Sequence, residues 1–129
     1  MIITGAFLAE KAVAVDDTLH VWGGALSGWS VHPEYRWAEF RLVVLAQVQT
    51  GEDDRTITVE VIPPENTTAS LVMTREYPQS WSATDVGFAI FRLPIHLEVD
   101  GRYSLLVTSG GATISLPLTA STINGSDDQ

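Results

Sequence analysis

Phe91-Arg92-Leu93-Pro94-Ile95-His96-Leu97-Glu98-Val99 places an apolar side chain at every second position. Phe91, Leu93, Ile95, Leu97 and Val99 fall on one side of an extended chain, and Arg92, Pro94, His96 and Glu98 on the other. Successive side chains of a β-strand point to opposite faces, so this stretch reads as a strand with one face on a core and one in water. The same period recurs in Phe40, Leu42, Val44, Ala46 and Val48, opposite Glu39, Arg41, Val43, Leu45, Gln47 and Gln49. It returns in Ile57-Val59-Val61, in Tyr103-Leu105-Val107 and in Ile114-Leu116-Leu118. Less regular strands are expected at Ile2 to Ala9, Thr18 to Gly24 and Ala69 to Arg75. Ala25 to Val31 either extends the second of all these strands or starts another.

Turn residues separate the runs: Asp16-Asp17, Gly51-Glu52-Asp53-Asp54, Pro63-Pro64-Glu65-Asn66, Asp100-Gly101 and Ser109-Gly110-Gly111. Seven or eight short antiparallel strands at this spacing predict an all-β sandwich, with a small β-barrel as the alternative. The alanine-rich Ala6 to Val15 is the one place for a helix, and it is too short to be stable alone. Pro94 and Pro117 interrupt strand patterns on the water-facing side, which points to sheet edges or bulges. Asp100-Gly101-Arg102-Tyr103 sets a tyrosine two residues after a turn glycine. It looks like the tyrosine corner of immunoglobulin-like domains, in which the phenol bonds back to nearby backbone. An immunoglobulin-like sandwich over residues 1–122 is expected, with 123–129 as a flexible acidic tail.

Several segments also recur in a familiar order. They are Ala9-Glu10, Leu19-His20-Val21-Trp22-Gly23-Gly24, the strand near Phe40 to Val48, Asp100-Gly101-Arg102-Tyr103, and Ile114-Ser115-Leu116-Pro117-Leu118. This arrangement resembles an uncharacterised bacterial family of small proteins in the domain-of-unknown-function class, over about the first 120 residues. The resemblance implies a β-sandwich in the bacterial cytoplasm. It implies no activity and no catalytic residue.

Composition narrows the function classes. The 129 residues carry sixteen acidic and seven basic side chains, a formal charge of −9. That field repels phosphate backbones and anionic lipid, so neither nucleic acid nor a membrane is an expected partner. No cysteine is present, which removes thiol nucleophiles, disulfides and cysteine-held metals. The N-terminus lacks a basic region and its apolar stretch is broken by Glu10 and Lys11, so a cytoplasmic location is expected. The glycosylation triplets Asn66-Thr67-Thr68 and Asn124-Gly125-Ser126 then carry no meaning.

Candidate chemistry is sparse. His20, His32 and His96 lie on three segments without the spacing of paired metal ligands. Gly24-Ala25-Leu26-Ser27-Gly28 has two flanking glycines but not the spacing of a nucleophile elbow. Glu52, Asp53 and Asp54 lack the alternating ligands of a calcium loop. No enzyme, cofactor or metal is therefore expected. The aromatic residues are the better lead, because tryptophan buries a large rigid area at low entropic cost. Trp22 and Trp37 are expected to point outward, and Val43 and Leu45 make the outer side of the central strand unusually apolar. These four form the expected interface of a binding module that contacts a protein partner, in the first instance itself as a homodimer. A small structural or adaptor subunit of a phage or bacterial assembly is a second expectation. A ligand-binding sandwich with a tryptophan platform for a sugar is a third. The phases of Trp29 and Trp81 stay open.

Overall fold

The computed structural model describes residues 1–48, 54–65, 69–78 and 86–123. Its two longest partners come from the two clearest alternating runs. Strand β5 (Trp37–Gln47) and strand β8 (Val86–His96) lie antiparallel, in register from Trp37↔His96 to Gln47↔Val86. β1 (Ile2–Ala9) pairs on the other side of β5 and completes a three-stranded sheet of order β1-β5-β8. A second sheet contains β4 (Gly28–Val31), β6 (Thr56–Ile62), β7 (Leu71–Glu76), β9 (Gly101–Ser109) and β10 (Ala112–Thr122). Its order is β4-β10-β9-β6-β7, with β4 parallel to β10 and every other pair antiparallel.

The core lies between these layers. Phe40, Leu42, Val44, Leu93 and Ile95 from the first sheet meet Ile57, Val59, Tyr103, Leu105, Val107 and Leu118 from the second. All are buried, as a two-sheet sandwich with inward-facing alternate residues requires. Leu97 is also fully buried, but Val99, expected on the same face, is 48% exposed. The reason is that β8 ends at His96 and the chain bends at Val99 and Asp100. The Tyr103 hydroxyl then holds that turn: it donates to the Val99 carbonyl at 2.8 Å and accepts from the Val99 amide at 3.2 Å. Tyr103 thus makes the backbone bond expected of it.

Ala6 to Val15 contains no helix. Its first part completes β1, and its second part is β2 (Lys11–Val15), which forms a hairpin with β3 (Thr18–Trp22). The helical alternative fails because Asp16 and Asp17 both adopt positive φ, 51° and 60°, the geometry of a two-residue hairpin turn. Gly110 and Gly111 do the same between β9 and β10, at 59° and 82°. Ala25 to Val31 does not extend β3; it supplies a separate strand, β4. Among the described residues ten strands are present, where seven or eight were expected.

Both strand prolines stand where a ladder bond is not needed. Leu97 donates to the Arg36 carbonyl, so odd-numbered β8 residues face β5 and Pro94 faces the open edge. Pro117 lies just ahead of the point where β4 joins β10, at Thr119↔Gly28. Of the expected tail, only Ile123 lies within the described residues.

Candidate binding surface at Trp37

The outer face of β5 is more apolar than a wetted face should be, and the molecule covers part of it itself. Val43 is fully buried, although it points away from the central core, and Leu45 is half-buried. β2 lies against β5, and Ala9 and Ala12 are buried with Val43 outside the central core. Val21 of the hairpin reaches the same place: a Cβ at Gly24 would sit 2.8 Å from the Val21 Cγ1 and 3.6 Å from the Phe7 ring. Phe7 is the cross-strand neighbour of Val43. The expected patch of Trp22, Trp37, Val43 and Leu45 therefore does not exist as one open surface. Trp22 stands on the hairpin with Lys11 Nζ 4.9 Å from its ring centre, while Trp37 begins β5.

Trp37 has the more developed surroundings. Its cross-strand partner is His96, and the two rings stack with centroids 5.0 Å apart and planes at 27°. Tyr35, two residues earlier, is 67% exposed. It follows a tight turn in which its amide donates to the His32 carbonyl and the Glu34 amide donates to His32 Nδ1. Beside Trp37, Glu39 and Arg92 form an ion pair across the β5–β8 ladder, and Arg41 Nη1 lies 3.9 Å from the Glu39 carboxylate. Tyr35, Trp37, Ala38, Glu39, Arg92 and Pro94 enclose a shallow depression of about 170 Å³. On the other side of Trp37 lies a second one of about 230 Å³, reaching Ser70, Leu71 and Glu98.

Arg36, between the two exposed aromatic residues, anchors the surface. Its Nε donates to the Leu97 carbonyl at 2.6 Å, Nη1 to Thr122 Oγ1 at 3.1 Å and Nη2 to Asp100 at 2.7 Å. The Thr122 amide donates to the second Asp100 oxygen at 3.0 Å. These donors, Arg36 first and Thr122 next, hold the Asp100 carboxyl below the usual aspartate range. One chain of bonds thus runs from Tyr103 through Val99 and Asp100 to Arg36 and the aromatic pair. Neither Arg36 nor Tyr35 is marked out by strand alternation or by a motif. The Asp100-Gly101-Arg102-Tyr103 motif was the available signal, but it does not say which distant residue Asp100 holds.

The remaining candidates stay apart. His20 is on the hairpin, His32 in a turn and His96 on β8. Among the described residues no group of three His, Cys, Asp or Glu side chains is placed to hold a metal ion. Glu52 and Asp53 lie outside the described residues. Asp54 instead accepts from the Thr56 amide at 3.0 Å, which lowers its pKa. Ser27 accepts from the Thr119 amide through its carbonyl as the chain enters β4. Trp29 is half-buried and meets Phe40 edge to face at 5.2 Å, so it lines the core; Trp81 lies outside the described residues. Among the described residues no helix is long and apolar enough to cross a membrane. The fold and site define an all-β sandwich with an exposed aromatic surface. No family model, curated protein or solved structure matches the chain.

Proposed function

We propose that this chain is a binding module, an immunoglobulin-like sandwich that contacts its partner through the surface around Trp37. The observation that carries the reading is a large aromatic ring left half in water yet fixed on both sides of its backbone. Trp37 is 51% exposed, stacked on His96, and preceded by an arginine with three separate anchors. A side chain ordered before contact loses little entropy on binding, which is how interface anchors reach high affinity. The strand order β1-β5-β8 facing β10-β9-β6-β7, with the Tyr103 bond at the start of β9, supports the immunoglobulin-like assignment.

Self-association through the outer face of the three-stranded sheet has less to work with than strand alternation promised, because Val43 is already covered. Light scattering at micromolar concentration decides it: a dimer gives twice the 14.0 kDa chain mass. The binding reading itself is tested by capture from cells of the source organism on wild-type, Tyr35→Ala/Trp37→Ala and Trp22→Ala beads, with unchanged melting temperatures as the control. A partner held by wild type and Trp22→Ala but lost by the double variant supports it. Equal retention by all three, or loss only with Trp22→Ala, contradicts it.

A further inference from the structure

We infer that Asp100–Gly101 is a latent site of backbone rearrangement to isoaspartate, held closed by Arg36 and Thr122. The site is independent of what Trp37 contacts. Asp100 is the one aspartate of the chain that is followed by glycine. A glycine there leaves no side chain to obstruct its own amide nitrogen, and the reaction needs only water besides. The nitrogen attacks Cγ of the protonated Asp100 carboxyl, and one carboxyl oxygen leaves as water, carrying the carboxyl proton and the amide proton. Water then adds to the resulting five-membered imide. Where it cleaves the bond from the Asp100 main-chain carbonyl to nitrogen, the chain continues through Cγ. The main chain is then one methylene longer, with no net change of mass.

The fold keeps this reactive pair for its geometry. Gly101 adopts a φ of 133°, and a Cβ there would sit 2.8 Å from Pro64 Cγ, so another side chain is strained at this position. Asp100 is the carboxylate that joins Arg36 to the end of β10. The same bonds hold the reacting atoms apart. Oδ1 accepts from Arg36 Nη2 and from Thr122 Oγ1, both at 2.7 Å, and Oδ2 accepts from the Thr122 amide at 3.0 Å. The attacking nitrogen is engaged elsewhere. Thr119 donates its amide to Ser27 on the β4 side, so even-numbered residues of β10 bond to β9 and Ala120 pairs with Gly101. Attack requires the Gly101 amide to leave this ladder and the carboxyl to leave its arginine. Those donors also favour the ionised carboxyl, which lacks the proton it needs to lose water. Burial is not the protection, because the Asp100 side chain is 48% exposed. The clamp is what remains.

The test is incubation for weeks at neutral pH, well below the unfolding transition. Isoaspartate is read by enzymatic methyl transfer to its free carboxyl. Peptide mapping then separates position 100 from the Asn124-Gly125 pair, where a side-chain amide can form the same imide. The samples are wild type, wild type unfolded in guanidinium chloride, Thr122→Val, Arg36→Ala and Arg36→Ala/Asp100→Glu, with melting temperatures recorded. Unfolded wild type should form isoaspartate at position 100, and native wild type should do so about tenfold or more slowly. Arg36→Ala should approach the unfolded rate and Thr122→Val should fall between. Asp100→Glu should abolish the signal there, since its longer side chain must close a less accessible six-membered ring. If Arg36→Ala melts below the incubation temperature, Thr122→Val decides. The inference is overturned if native wild type reacts as fast as the unfolded chain, or if unfolded wild type does not react. Folded clamp variants that react no faster than native wild type overturn it as well.

Discussion

Trp22 and Trp37 are equally exposed, each at 51%, yet they are held in opposite ways. Trp22 belongs to a two-stranded ribbon, an arrangement that is at most marginally stable by itself, and its ring has a flexible lysine above it. Trp37 belongs to a strand of eleven residues in the main sandwich and rests on a histidine ring. Exposure alone therefore does not say which of the two rings the fold holds in place. What distinguishes them is how much of the fold fixes each ring. The hairpin packs on β5 through β2, while Trp37 itself begins β5.

The largest expected effect lies under the hairpin. Val43→Ala should cost about 2 kcal/mol by lost apolar burial and an imperfectly filled gap, read as a lower urea midpoint. Faster amide exchange in β2 and β3 should accompany it. An unchanged midpoint would mean that the hairpin is not seated on β5. Tyr103→Phe comes next, because it leaves the Val99 carbonyl and amide without their partner. It should cost about 1–2 kcal/mol by thermal or urea unfolding, and little change would break the proposed link between Tyr103 and the Arg36 anchor. Lys11→Ala should cost less than about 1 kcal/mol, as expected of an exposed cation over an indole, and should leave partner binding intact. A larger loss would make Trp22 as firmly held as Trp37.

The smallest effect is electrostatic. The folded-state pKa of Asp100 is depressed, so its contribution is present above the unfolded aspartate value and is lost as pH falls through the folded value. Below the ordinary aspartate range, wild type should therefore lose melting temperature more steeply than Asp100→Asn. Parallel profiles for the two proteins would show that the Arg36–Asp100 contact adds nothing. At the alkaline end, burial pushes the Tyr77 phenol up to about 12, so its ionisation should be delayed in an ultraviolet titration.

These contrasts also show what strand alternation can and cannot convey. The period-2 pattern in β5 and β8 places Phe40, Leu42, Leu93 and Ile95 in the core because pleat geometry couples sequence parity to face. Parity says nothing of what covers the other face, and for that reason Val43 was expected in water and is buried. It also cannot locate a strand's end, which is where Val99 departs from the pattern. The hairpin was obscured because alanine-rich segments favour helices, while two successive aspartates at positive φ are uncommon. Trp37 and His96 were each legible as outward residues. Their stacking depends on the β5–β8 register, which distant side-chain packing sets, and Arg36 depends on a bond to a loop near the other end of the chain.

The most direct measurement follows the indole N–H resonances of Trp22 and Trp37, assigned from single Trp→Ala variants, as the partner held by wild-type beads is titrated in. The Trp37 signal should shift progressively to saturation while that of Trp22 stays in place. Movement of Trp22 with Trp37 unmoved would place the contact on the hairpin and refute the account.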